Sequence, residues 1–214
     1  MSITYPLALP ASLSSVAASA VLHGEPIVAV NRNPFTGRQE SFEWGGIWRL
    51  EVGLIPMRRS AAAPWLAFFS SLKGPAGSFL AGVPGVAGVT GIGSPSVAGA
   101  SQTGSTLDIS GLTPSTSGII PASTLFSLGT GTNTHLHRVL SAVTSDGSGE
   151  ATLDIWPSLR LSPEDASAIE FEAPVGQWLL ESAGVPESLE PWGLDTNGDP
   201  DPLVSLAFSA REAV

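Results

Sequence analysis

Few side chains in this sequence have the type and spacing that chemistry requires. His135 and His137 stand two apart, which puts both on one face of a strand and makes half of a metal site. No third ligand lies nearby in sequence, and neither His23 nor Asp146 is placed beside them by spacing. The pair therefore reads as two partly exposed histidines at the start of a strand or at a subunit contact. Residues 195–201, DTNGDPD, offer oxygen atoms at alternate positions, as a calcium loop begins. An EF-hand then needs glycine where Pro200 stands and a bidentate glutamate where Leu206 stands, so this run reads as a solvated acidic turn.

Other chemistries find less support. Serines are plentiful, but there is no G-x-S-x-G elbow and no histidine or carboxylate arrangement that marks out a triad. The pair Glu164 and Asp165 falls in a turn that it caps or solvates. The glycine-rich run 74–93 lacks a phosphate-loop lysine. Cysteine is absent, which removes disulfides, thiolate metal sites and a cysteine nucleophile. The sequence reads as a non-enzyme with no catalytic residue, bound metal or cofactor.

The elements that would position any site are short strands. A content of 24 glycines and 18 prolines in 214 residues, with 13% charged residues, punctuates the chain too often for a helical bundle, while 43% hydrophobic residues suffice for a core. The clearest stretch is 134–160, where apolar-rich runs 136–143 and 151–156 flank Ser145, Asp146, Gly147, Ser148 and Gly149. This predicts a β-hairpin whose second arm alternates Ala151, Leu153 and Ile155 with Thr152, Asp154 and Trp156, and stops at Pro157.

Upstream, residues 26–30 predict a strand that ends in the turn formers 31–34. Residues 40–57 predict a hairpin turning at Gly45 and Gly46. Residues 60–74 repeat Trp65, Leu66, Phe68, Phe69 and Leu72 at helical spacing. Ser60 is the expected N-cap, and Lys73, Gly74 and Pro75 end the helix. The low-complexity middle, 74–131, holds too many apolar residues for a solvated linker and reads as loops with short strands, Leu107 to Ile109 foremost. Residues 162–165 form a turn, 168–172 and 177–181 are closing strands, 186–202 an acidic loop, and 203–209 a final strand with Val204, Leu206 and Phe208 on one side.

The net charge of −10 argues against a basic nucleic-acid-binding surface. Residues 7–22 are apolar, but no basic residue precedes them and Pro6 and Pro10 interrupt their start, which argues against a signal peptide. No apolar run approaches the roughly twenty residues that span a bilayer.

Several of these stretches, in this order, resemble the distal tail (minor tail) proteins of long-tailed siphophages. They are Asn33-Pro34-Phe35-Thr36-Gly37, then residues 48–57, then a helix ending in residues 68–79, FFSSLKGPAGSF. Leu128-Gly129, His137-Arg138-Val139, the run 146–160 and the turn 162–166 follow, although Thr130 stands where an aspartate is usual. The likeness covers roughly residues 26–180 and consists of structural punctuation.

It implies a mainly β fold: a β-sandwich of tail-tube type with one flanking α-helix, plus a small β-barrel-like module. The sandwich would take residues 1–82, with its helix at about 60–73, and be completed by strand 203–209. Residues 83–183 would form the loop-rich region and small module, and 184–214 the acidic loop and closing strand. The resemblance further implies a closed, typically sixfold ring at the tail tip of the virion, joining the tail tube protein to the baseplate hub protein. It would lie near the tape measure protein, and DNA would pass through its lumen as cargo. The competing readings are a receptor- or carbohydrate-binding β-sandwich on the virion surface, with Trp178 or Trp192 stacking on sugars, and another tail-ring component such as a tube or terminator protein.

Overall fold

Along residues 46–54 every second side chain is buried: Trp48, Leu50, Val52 and Leu54 face a core while Arg49 and Glu51 face away, the period of two that a half-covered strand requires. The computed structural model describes residues 3–190 and 201–213. In chain order these form β1 (Leu7–Ala8), α1 (Leu13–Val16), β2 (Ala17–Arg32), β3 (Gln39–Leu54), β4 (Met57–Arg58) and α2 (Arg59–Leu72). Next come β5 (Ser78–Gly82), β6 (Gly93–Val97), β7 (Gly104–Leu112), β8 (Leu125–Leu128) and β9 (His135–Val139). The chain closes with β10 (Ala151–Leu159), β11 (Ile169–Glu170), β12 (Val175–Leu180), β13 (Glu187–Glu190) and β14 (Leu203–Glu212).

The fold is mainly β, a sandwich-type module with a flanking helix plus a small barrel-like module. The first sheet runs β1-β5-β12-β14-β3-β2, with β13 and β4 pairing the first half of β14. Its core takes the aromatic face of α2, where Trp65, Phe68 and Phe69 pack on Phe79 and Phe208. The segment 7–22 belongs to this module: Leu7 pairs with Phe79 in parallel, and Leu13 is buried.

The second sheet runs β11-β8-β9-β10-β7-β6. It curls until its ends meet, because Val97 N–H donates to Ser167 O at 2.9 Å and Ala166 N–H to Val97 O at 3.0 Å. Inside lie Leu107, Ile109, Phe126, Val139, Leu153, Ile155 and Phe171. The low-complexity middle thus supplies three barrel strands, β6 to β8. The chain crosses between modules twice, at residues 83–92 and 171–174, so the module boundary expected at 183 falls earlier and β12 returns to the first sheet.

Three local expectations are corrected. Gly45 and Gly46 are not a turn; β3 runs through them and pairs with β2 from Ala17–Leu54 to Arg32–Gln39, and the turn is at Asn33, whose Oδ1 accepts from Phe35 and Thr36 N–H. Gly46 answers a different need. The Trp156 ring packs against Gly24 and Gly46, where an added Cβ at Gly24 would sit 2.7 Å from Trp156 Cη2. Ser60 is not the N-cap: α2 starts at Arg59, and the Asp201 carboxylate accepts from Ser60 N–H at 3.1 Å and Ser60 Oγ–H at 3.0 Å, a cap supplied by a remote segment. In the 134–160 hairpin β9 ends at Val139, since Val143 bridges to Ile120 instead; β10 leaves β9 after Trp156 as Pro157 requires, but runs on to Leu159 beside Gly104 of β7.

Candidate functional site

Two features stand out beyond the packing: a buried polar seam between the modules and a projecting arm. The seam is built around Glu212, the last residue of β14, whose side chain is 0% exposed. The ladder between β9 and β10 stops at the Arg138–Trp156 pair. The Leu136 N–H further along β9 donates to Glu212 Oε1 at 3.0 Å. Its other oxygen accepts from Trp48 N–H of β3 at 3.4 Å and from Arg160 Nη2 at 2.9 Å. One carboxylate thereby satisfies an amide from each sheet and pairs with the guanidinium that follows β10. Arg160 also donates to Gly46 O, and Trp48 Nε1 donates to Leu136 O at 2.8 Å.

Apolar contacts surround this seam. Trp156 meets Trp48 edge to face with ring centroids 4.5 Å apart, and the Arg138 guanidinium lies 4.7 Å from the Trp48 ring centroid. Both histidines flagged in the sequence border the seam. His135 is half-buried, 3.4 Å from Arg160 Nη1 and 3.9 Å from Glu212 Oε1. Burial holds its pKa below the usual value, Glu212 pulls it back up and Arg160 pushes it down.

His137 is not the partly exposed residue expected: it is 3% exposed and stacks on Phe126. Its Nδ1 lies 2.8 Å from Pro157 O, and because a carbonyl only accepts, Nδ1 carries the hydrogen. Burial lowers its pKa to about 4, against the smaller upward pull of that hydrogen bond. The two rings do not gather a third ligand. Among the described residues no three His, Cys, Asp or Glu side chains converge in a way that could hold a metal ion.

Of the acidic run, Asp201 is the helix cap already described and residues 195–200 lie outside the described residues. In the turn 145–149, Asp146 Oδ1 accepts from Ser148 and Glu150 N–H, both at 2.8 Å, and these bonds hold its pKa below the usual carboxylate range. Asp165 accepts from Gly99 N–H at 2.8 Å. Both act on backbone, as loop scaffold.

The arm is the outer half of β2 and β3. All residues from 23 to 44 are exposed, yet they carry Ile27, Val28, Val30, Phe35, Phe42 and Trp44. Phe35 is 95% exposed and Trp44 76%. The register Ala29–Phe42 and Val30–Ser41 places Phe42 and Trp44 on one face and Val28 and Val30 on the other, so both faces carry exposed apolar residues among polar ones. Trp178, offered in sequence as a sugar platform, is instead fully buried and donates Nε1–H to Ala81 O at 2.9 Å; Trp192 lies outside the described residues.

Sequence reasoning flagged the histidines but missed Glu212 and Arg160, whose partners are far along the chain. It read the arm as two separate pieces. No helix of the described residues is long and apolar enough to cross a membrane. No protein-family model matches the chain, and a search of curated proteins found no match.

Proposed function

We propose that the chain is a structural, non-enzymatic subunit of a bacteriophage tail tip, where identical copies form a closed ring between the tail tube and the baseplate hub. The projecting arm is the observation that carries this reading. A two-stranded ribbon is marginal in water on its own, and exposed apolar residues on both of its faces call for a protein partner. Another copy of the chain suits the arm chemically. The tip bears Arg32 and Arg38, two of only nine Lys and Arg residues in a chain of net charge −10; Arg38 lies 3.9 Å from Glu40, and Arg32 is the tip charge that would meet the acidic body of a neighbour.

Each copy then offers an arm and receives one, a heterologous contact that closes into a ring at the right rotation. The sixfold symmetry, the tail tube, hub and tape measure proteins as neighbours, and passage of DNA through the lumen follow from the resemblance in sequence. An acidic bore lets DNA slide because it offers few cations to bind phosphate.

The test is a paired substitution, Phe42→Ser with Trp44→Ser, followed by sedimentation velocity and far-ultraviolet circular dichroism. The expected result is unchanged sheet content with ring assembly weakened by about tenfold or more in dissociation constant, as for loss of an aromatic anchor. A variant that assembles as well as the parent chain contradicts the proposal. Exposed Trp44 also favours the carbohydrate-binding reading, under which the same variant would lose glycan binding while keeping its assembly state.

A further inference from the structure

We propose that Glu212 is a clasp: seated, it locks the barrel onto the sandwich, and displaced, it frees the barrel to swing on its two chain crossings, baring Leu125 and Leu136 while both sheets stay folded. This inference concerns the single chain and stands apart from the tail-tip reading.

The anatomy supports separable modules. There are two hydrophobic cores, one lined by α2 and the first sheet and one inside the barrel; the first also takes in Leu125 and Leu136 of the barrel strands, with Trp156 packed against it. Only residues 83–92 and 171–174 connect them covalently, and the two crossings run side by side, with Val89 N–H donating to Phe171 O at 2.9 Å. Between the modules, the ion pairs of His135 and Arg160 meet on one carboxylate, beside the Arg138 guanidinium over the Trp48 ring. Glu212 takes amides from β3 and β9 and the Arg160 guanidinium together.

Position in the chain makes this a clasp. Glu212 ends β14, which is fixed near its start by Asp201 on the first turn of α2 and along its length by β3 and β12. The barrel can therefore be locked only after the final strand is threaded into the first sheet. Losing the clasp leaves two buried amides without this acceptor and strips Arg160 of its carboxylate, leaving it Gly46 O, which favours opening and rehydration of the seam. Glu212→Gln keeps the shape but removes the charge and turns an NH₂ group toward a donor.

The chain has no cysteine, so two introduced thiols can be labelled alone. Ala61→Cys on α2 and Ser148→Cys in the barrel turn are both at exposed positions, and spin-label distances between them read the module arrangement. One narrow distance is expected in the parent chain. A second, broad population is expected with Glu212→Gln and with Arg160→Met, with cleavage by protease in residues 83–92 rising about a hundredfold and sheet circular dichroism retained.

A single narrow distance in both variants overturns the clasp, as does loss of all sheet signal, which would make Glu212 a requirement for folding of the whole chain. Hydrogen exchange on the unsubstituted chain tests the same claim. The Trp48 and Leu136 amides are expected to exchange together, faster than those of Leu50 and Leu153. Exchange of all four only through global unfolding contradicts it.

Discussion

At the scale of single residues, His137 and Gly46 make the sharpest predictions. His137 is neutral when folded, with a pKa of about 4 set by burial, against 6.5 for the free side chain. A depressed folded pKa means that its contribution to stability is fully present above about pH 6.5 and is lost as pH falls toward 4. The melting temperature should drop across that window, by an amount worth up to about 3 kcal/mol. His137→Gln, which can still donate to Pro157 O, should flatten the dependence; an unaltered slope would assign the acid sensitivity elsewhere. Asp146 acts in a lower range, because its pKa is held down and its contribution is lost only as pH falls below the ordinary carboxylate value. Gly46→Ala should cost about 1–3 kcal/mol in denaturant unfolding, the range for overpacking, since the new methyl meets the Trp156 ring. Gly147→Ala, which meets nothing within 4 Å, should stay within about 0.5 kcal/mol.

At the scale of elements, helix α2 depends on a cap from the far end of the chain. Asp201→Ala should destabilise by about 0.5–2 kcal/mol, the range for lost N-caps, and Ser60→Ala should change little further in that background because both remove the same contact. Equal and additive losses would mean that the two residues act separately. The helix itself was legible in the sequence, since the aromatic repeat from Trp65 to Leu72 is an amphipathic pattern of local origin. The final strand and the second arm of the 134–160 hairpin were legible for the same reason, as period two survives in residues 151–155 and 203–208. The arm was not. Gly45 and Gly46 look like a turn, and only the approach of Trp156, more than a hundred residues later, explains Gly46 as space for a ring, while Gly45 takes a positive φ of 117°. The seam was invisible for a related reason: Glu212 bonds to residues 52, 76 and 164 positions away, and no local pattern encodes such pairings. Replacing residues 27–43 by a short turn should leave the monomer folded, because none of them is buried. Unfolding of that variant would show that the arm supports its own sheet.

At the scale of the whole molecule, the arm, the acidic balance and the two modules suit the proposed arrangement, in which copies would link arm to body around a passage and Glu212 would hold each barrel. Charge makes one consequence testable. Isolated rings should not retain duplex DNA at physiological salt, and a filter-binding experiment that found tight retention would point to a basic bore incompatible with free passage. The mass and rotational symmetry of the assembled particle, isolated or within a virion, decide whether identical copies close into the proposed ring. A closed sixfold ring with each arm on its neighbour is the expected result; a single copy or a threefold location would rule the proposed ring out.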